Sequence, residues 1–307
     1  MIIYKKILFS GKGGTAGIRK PVYTEKHMNN ELVLKLENSN PDAARTVAVK
    51  RSCTSLVLHR HDYFEVELIL SGKVKHTLNG RDYILKCGDF CVLTPSDFHE
   101  IGVLETSQIY NVSFDTSAVP AEFAMRIFES DDRVFSPHDE DFDTLCLLAE
   151  LLCVHNAPNN ISDEKYSALL LEAFTNRLGR LIYPSQNTRD YGTESEIQKS
   201  VVYLHTHFRD NPTLAELASI CHLSPGYFSS LFKSITGKNV SEYLTELRID
   251  YAKRLLIATN LSVTDICFSC GYGSVSNFMK AFKCCAGISP LCFRKSKKSI
   301  SSAEKQL

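Results

Sequence analysis

The sequence predicts a two-domain α+β chain: an N-terminal β-barrel or jelly roll with accompanying helices, then an all-α domain. Three observations carry this. Short β-type segments separated by turn signals fill residues 55–115. Over residues 120–183 the apolar period changes from two to 3.6. From Thr213 to Arg294 one helix–turn–helix unit occurs twice. At an offset of 50 positions Ser224 falls on Ser274, Phe228 on Phe278, Phe232 on Phe282, Lys233 on Lys283 and Gly237 on Gly287.

Composition sets the bounds. A chain of 307 residues has room for two domains. A formal net charge of zero argues against a generic polyanion binder, yet the charge is uneven. Residues 194–307 carry 14 Lys+Arg against 9 Asp+Glu, a net of +5, and the remainder carries 21 against 26, a net of −5. The basic part coincides with the repeat, as phosphate neutralisation requires. The absence of a signal peptide or an apolar run of membrane length implies a reducing cytosol and no membrane partner. Most of the eleven cysteines, such as Cys91, Cys146 and Cys153, then read as small core residues. Cys267-x-x-Cys270 has metal or redox spacing, but it lies in a predicted helix with no second pair and also reads as core.

Residues 1–50 read as an N-terminal arm and first strands. Ser10 to Gly17 is glycine-rich but lacks the Gly-Lys-Ser/Thr ending of a phosphate loop, so it reads as a flexible arm. Glu31 to Glu37 alternates as a strand, with Leu32, Leu34 and Leu36 on one face. Further strands are expected at 55–58, 66–70, 73–78, 82–85, 90–93 and 108–114, and Asn79-Gly80 signals a type I′ hairpin.

One constellation stands out in residues 51–183: His59-x-His61-x3-Glu65-x6-Gly72, then Gly88-Asp89-x5-Pro95-x-Asp97-x-His99. Residues two apart on a strand share a face, so His59 and His61 converge; Glu65 joins them if the strand continues, and His99 if it lies on a paired strand. The pattern resembles the cupin barrel, whose enzymes hold a divalent metal with two His, a Glu and a third His. Three readings stay open. The four side chains, with Tyr63 as a stacking face, line an effector pocket suited to a sugar or related metabolite, with no cofactor. Alternatively, His59, His61, Glu65 and His99 bind a transition metal. In the third reading they are structural hydrogen bonders.

Three helices follow. One holds Phe123, Ile127 and Phe128, and a second holds Phe142, Leu145, Leu148, Ala149 and Leu152. The third is capped by Asp163 and holds Leu170, Leu171, Phe174, Leu178 and Leu181. They cover the barrel, or they serve the homodimer contact that the family resemblance described next implies. Residues 184–196 are polar with Pro and Gly and read as a linker.

Residues 197–296 open with a helix from Ile197 to Phe208. The two units lie at about 213–234 and 262–285, joined by one long helix, Val240 to Ile257, about 27 Å in length. This is the arrangement of helix-turn-helix DNA readers. The second unit, Ile266-x4-Gly271-Tyr272-x3-Ser276-x-Phe278-x3-Phe282-Lys283-x3-Gly287-x-Ser289-Pro290-x2-Phe293-Arg294, resembles the signature of AraC/XylS-type transcriptional regulators. The first resembles its companion through Leu214-Ala215-Glu216-Leu217-Ala218 and Leu223-Ser224-Pro225-x-Tyr227-Phe228-x3-Phe232-Lys233. Cys267 departs from the usual Ala, and Ser274 from Asn or Asp. The resemblance implies a cupin-like sensing domain, dimerisation, and activation of transcription through RNA polymerase, in the bacterial cytoplasm at the nucleoid. It does not imply an enzyme. Alternatives are a cupin metalloenzyme fused to a DNA-binding domain and a constitutive DNA binder without ligand.

Candidate contacts to double-stranded DNA in adjacent major grooves are Ser224, Gly226, Tyr227, Ser229, Ser230 and Lys233 in the first unit. In the second they are Ser274, Ser276, Asn277, Lys280 and Lys283. The lysines suit phosphates, and Asn277 suits adenine. Arg248 and Arg254 are expected on a solvated helix face, pairing with Glu246 or Asp250. Residues 297–307 form a basic tail.

Overall fold

The computed structural model describes residues 4–6, 23–28, 31–36, 46–130, 132–137, 139–155, 164–183 and 192–296. The chain divides into two compact units. One is Met1–His27 with Glu31–Asp190, and the other is Met28–Asn30 with Tyr191–Leu307.

The first unit is built on two sheets. One has the strand order β1 (Tyr4–Lys6), β2 (Tyr23–Met28), β3 (Glu31–Leu36), β5 (Leu56–His61), β10 (His99–Val103), β7 (Lys73–Leu78), β8 (Arg81–Lys86). The other runs β12 (Val134–Phe135), β9 (Phe90–Leu93), β6 (Phe64–Ser71), β11 (Gln108–Phe114), β4 (Thr46–Ser52). Among the described pairings all are antiparallel except that between β3 and β5. Val74, Leu78, Leu85 and Ile101 from the first sheet share one buried cluster with Ile69, Cys91, Leu93 and Ile109 from the second. Two sheets with a common interior match the jelly-roll expectation. Asn79 and Gly80 both have positive φ, 48° and 82°, which is the left-handed pair a type I′ turn demands.

The sequence reading departs from the structure in several places. β4 belongs to the sandwich and crosses the boundary at residue 50 between the expected arm with first strands and the barrel. It pairs with β11 along its whole length. β2, β10 and β12 were not among the expected strands. The glycine-rich segment, Asp163 and residues 297–307 lie outside the described residues, as does most of the expected linker. Its last five positions, 192–196, are already helical.

Helices α1 (Ala121–Glu129), α2 (Asp139–His155) and α3 (Glu164–Ile182) follow the strands. α2 packs on β4 and on α3, burying Phe142, Leu145, Ala149 and Leu152. The covering role is therefore visible. Leu147 and Leu169 nevertheless stay more than half exposed on the outer faces.

The second unit holds α4 (Gly192–His207), α5 (Leu214–Ile220), α6 (Pro225–Thr236), α7 (Val240–Ala258), α8 (Val263–Ser269) and α9 (Val275–Ala286). The helices from α5 to α9 each have a chemical reason to start where they do. Thr213 and Glu216 close a capping box on α5, Asn239 and Glu242 close one on α7, and Ser262 and Ser274 cap α8 and α9. Ser224 sits at the N-cap of α6 but makes no side-chain cap bond; Pro225 begins that helix. Both α6 and α9 end on a left-handed glycine, Gly237 and Gly287. The repeat is not uniform. α5 and α8 are 49 positions apart, and α6 and α9 are 50 apart, because the second turn is one residue longer. Phe228, Phe232, Phe278 and Phe282 are fully buried and fix the stripe of each unit.

Arg248 is not on a solvated face. It is 8% exposed; its guanidinium donates twice to the Phe208 carbonyl, at 2.8 and 2.6 Å, and once to Asn211 Oδ1 at 2.7 Å. Glu246 pairs instead with Lys238, and Asp250 with Lys253.

Candidate functional site

Four of the expected site residues come together between the two sheets. His59 and His61 lie on β5, and His99 lies on β10, opposite His59 in register. Glu65 is not on the same strand as the first two histidines. The chain turns at Asp62 and Tyr63, and Glu65 comes from β6 in the other sheet. His61 Nε2 lies 2.8 Å from His99 Nε2 and 2.9 Å from Glu65 Oε2, and His99 Nε2 lies 3.7 Å from that oxygen. One ring nitrogen each of His59, His61 and His99 falls within 4.8 Å of the others. Tyr63 stacks on His61, with ring centroids 4.5 Å apart. All five side chains are buried.

Three of the four donors are held by their other end, whereas His61 Nδ1 is buried without a hydrogen-bond partner. His59 Nδ1 donates to the Val57 carbonyl at 2.7 Å, so its Nε2 carries a free lone pair. Asn111 Nδ2 donates to Glu65 Oε1 at 2.6 Å, which leaves Oε2 facing the histidines. His99 Nδ1 meets His76 Nε2 at 2.9 Å. A set of buried imidazoles and one carboxylate, all but His61 fixed from behind, fits a divalent transition metal. The same set can also hydrogen-bond a hydroxylated ligand.

The electrostatics follow from burial. Burial pushes the imidazoles of His59 and His76 down to about 4 and that of His99 well below the usual histidine range. His59, His76 and His99 are therefore neutral near pH 7, as ligation and neutral hydrogen bonding both require. Burial alone would raise Glu65; the contacts from His61 and Asn111 outweigh it and hold the carboxyl at about 2. Glu67, two residues on, is pushed up to about 7 by burial and by the Glu65 carboxylate.

In the helical unit most of the candidate contacts are open to solvent. Gly226, Tyr227, Ser230 and Lys233 are exposed on α6, as are Ser276, Asn277, Lys280 and Lys283 on α9. Ser224 is exposed at the start of α6, whereas Ser229 and Ser274 are half-buried. Two of the hydroxyls have local duties: Ser230 donates to the Gly226 carbonyl, and Ser274 accepts from the Asn277 amide.

Two family models match the chain, one to each unit: the AraC-like ligand binding domain over residues 55–174, and a helix-turn-helix domain over residues 217–296. The chain belongs to the AraC family. Among the relatives of this AraC-family chain is a Bacillus subtilis protein described as an uncharacterized HTH-type transcriptional regulator, YobQ. It is 35% identical over 101 residues, covering 33% of this chain and 42% of YobQ. The HTH-type transcriptional activator RhaS of Yersinia pestis is 26% identical over 234 residues, covering 73% of this chain and 84% of RhaS. A solved structure, the C-terminal domain of the response regulator AraT from Geobacillus stearothermophilus, overlaps with a TM-score of 0.32 at 30% identity. That overlap covers 33% of this chain and 84% of that one.

Sequence reasoning missed two side chains that touch the histidine cluster, His76 and Asn111, and two that adjoin these, Glu67 and Cys91. One signal was present. Glu67 follows Glu65 by two inside the apolar run of β6, so both carboxylates share a face. His76 and Asn111 carry no such signal, because only the register brings them in.

Proposed function

We propose that this chain is an effector-responsive transcription regulator. The observation that carries the reading is the doubled helix-turn-helix unit, whose α6 and α9 each bury a phenylalanine stripe and leave a polar and basic face open. A rigid α7 of 19 residues, about 28 Å, suits two helices entering neighbouring major-groove faces about 34 Å apart. Lys233 and Lys283 neutralise phosphates, and Asn277 reads a base. Family membership and relatives named as regulators support this reading over an enzyme. Activation through RNA polymerase and action as a homodimer complete it, with the exposed Leu147 and Leu169 of α2 and α3 as the dimer contact.

The split between positioning and reading is testable by gel shift on several promoter sequences. Lys283→Ala should weaken binding on all of them and reduce the salt slope by about one. Asn277→Ala should relax preference at one base pair, worth about 1–3 kcal/mol. Equal losses on every sequence for both variants would overturn the assignment.

The effector site is the cluster of His59, His61, Tyr63, Glu65 and His99. A sugar-like ligand accounts for its hydrogen-bonding groups. A second reading, a metal ion as effector or as its anchor, is favoured by the Nε2 atoms of His61 and His99 and Glu65 Oε2 lying 2.8 to 3.7 Å apart. Calorimetry against sugars and divalent metals, with and without chelator, separates the two. Heat from a sugar in the presence of chelator supports the first. Heat only from metal rules it out.

A further inference from the structure

We propose that Glu67, His76 and Cys91 form a second cation site, distinct from the His59–His61–Glu65–His99 cluster and selective for a divalent ion that accepts a thiolate. The three residues come from three strands, β6, β7 and β9, and from both sheets. Glu67 and Cys91 are directly opposed in register on neighbouring strands, so their side chains leave the same face side by side. One ligand atom from each of the three lies within 4.8 Å of the other two. All three residues are at most 3% exposed.

The orientation of each side chain points the same way. Glu67 Oε1 is held from behind by Asn111 Nδ2 at 3.3 Å and by the Arg51 guanidinium at 3.4 Å. Its Oε2 is turned instead toward His76, 3.8 Å from Nε2. That separation is close to a ligand–ligand edge of a tetrahedral zinc-like site, roughly 3.3–3.5 Å for bond lengths of about 2.0–2.3 Å. The second ring nitrogen of His76, Nδ1, is buried with no hydrogen-bond partner. The ligand atom facing Glu67 is Nε2, so Nδ1 carries the proton of the neutral ring and is not itself a ligand.

Charge and softness define the ligand class. A carboxylate, a thiolate and a neutral imidazole together carry two negative charges, which one divalent cation cancels in a buried space. The first cluster offers nitrogen and oxygen only. The sulfur of Cys91 gives the second a preference for zinc-class ions, and binding releases the thiol proton. His76 touches both clusters, since its Nε2 also lies 2.9 Å from His99 Nδ1. An ion drawn onto His76 therefore changes the support behind His99, which links the new site to the proposed effector site. The competing account is that Cys91 is merely a small core residue.

The test is a cobalt(II) titration of the metal-free full-length chain, read in the near-ultraviolet, where thiolate-to-cobalt charge transfer absorbs. The parent protein should develop the band, and Cys91→Ser should lose it. Glu67→Gln keeps the thiol but should need at least about tenfold more cobalt, the scale on which even outer-shell partners act. No band in the parent protein, or an undiminished band in Cys91→Ser, overturns the site. If Cys91→Ser does not fold by circular dichroism, Glu67→Gln decides, and unchanged cobalt affinity overturns it. The regulator reading is judged separately on the same preparations. A cobalt band with no DNA binding would sink that reading and leave this one standing.

Discussion

Replacing Arg248 with Met should destabilise the helical unit by about 3 kcal/mol and weaken DNA binding without changing its salt slope. The Arg248 guanidinium is buried on α7 and serves two acceptors, the Phe208 carbonyl and Asn211 Oδ1, in the loop between α4 and α5. It also lies over the Tyr272 ring, 5.5 Å from its centroid, in the turn of the second unit. That loop is held elsewhere too. Arg209 donates to the Tyr251 hydroxyl at 2.6 Å, and a Cβ on Gly271 would come within 2.8 Å of the Arg209 backbone. Arg248 thus ties the connecting helix to the first unit's entry loop and to the second unit's turn. Methionine keeps much of the volume but strands the buried Phe208 carbonyl, at a cost of about 1–3 kcal/mol, and loses the bond to the exposed Asn211 as well. Lysine should not rescue, because a point charge cannot reproduce the fork. The salt slope should hold because Arg248 neutralises no phosphate. Urea melts and gel shifts over a salt series measure both effects. A slope reduced by about one would place Arg248 on the DNA instead.

Acidification should unfold the β unit of chelator-treated protein well before the helical unit. His59 and His76 are held neutral with values near 4, against about 6.5 in the unfolded chain, and His99 is lowered further. Between these values the unfolded chain binds more protons, so stability falls as pH drops from about 6.5 to about 4. Glu67 acts with the opposite sign. Its value near 7 means the folded state takes up a proton first, which adds stability as pH falls from about 7 to about 4.5. That offsets part of the histidine loss, and the net change is still a loss of stability by pH 4. Glu65, held near 2, adds a further loss only below about 4.5. Thermal melts of the two units across this range measure the balance. A β unit equally stable at pH 6.5 and pH 4 would mean that the histidines are not buried neutral.

The helical unit was the more legible half because its evidence is local. Caps, glycine ends and i, i+3, i+4 phenylalanines stand within a few residues of each other, and the structure returns each helix there. The one-residue difference between the turns was hidden because the matches that set the offset lie after the turn. Arg248 was misread for the opposite reason. Pairing rules within one helix see only Glu246 and Asp250, while its actual partner is a main-chain carbonyl 40 positions away. In the β unit, β4 was missed because Lys50, Arg51 and Ser52 make its end look like loop, and β10 because it is short and carries Gly102. The histidine cluster was legible from the spacing of two strands, but its carboxylate came from a different strand than expected. Of the supporting residues, Glu67 had a local signal two positions after Glu65, whereas His76 and Asn111 depend on strand register, which no local pattern records.

Selection of bound fragments from a random DNA library with the full-length chain tests the central claim most directly. The predicted result is enrichment of two short motifs whose centres lie one helical turn, about 10.5 base pairs, apart on one face of the duplex. A single isolated motif, or no enrichment at modest ionic strength, would contradict it.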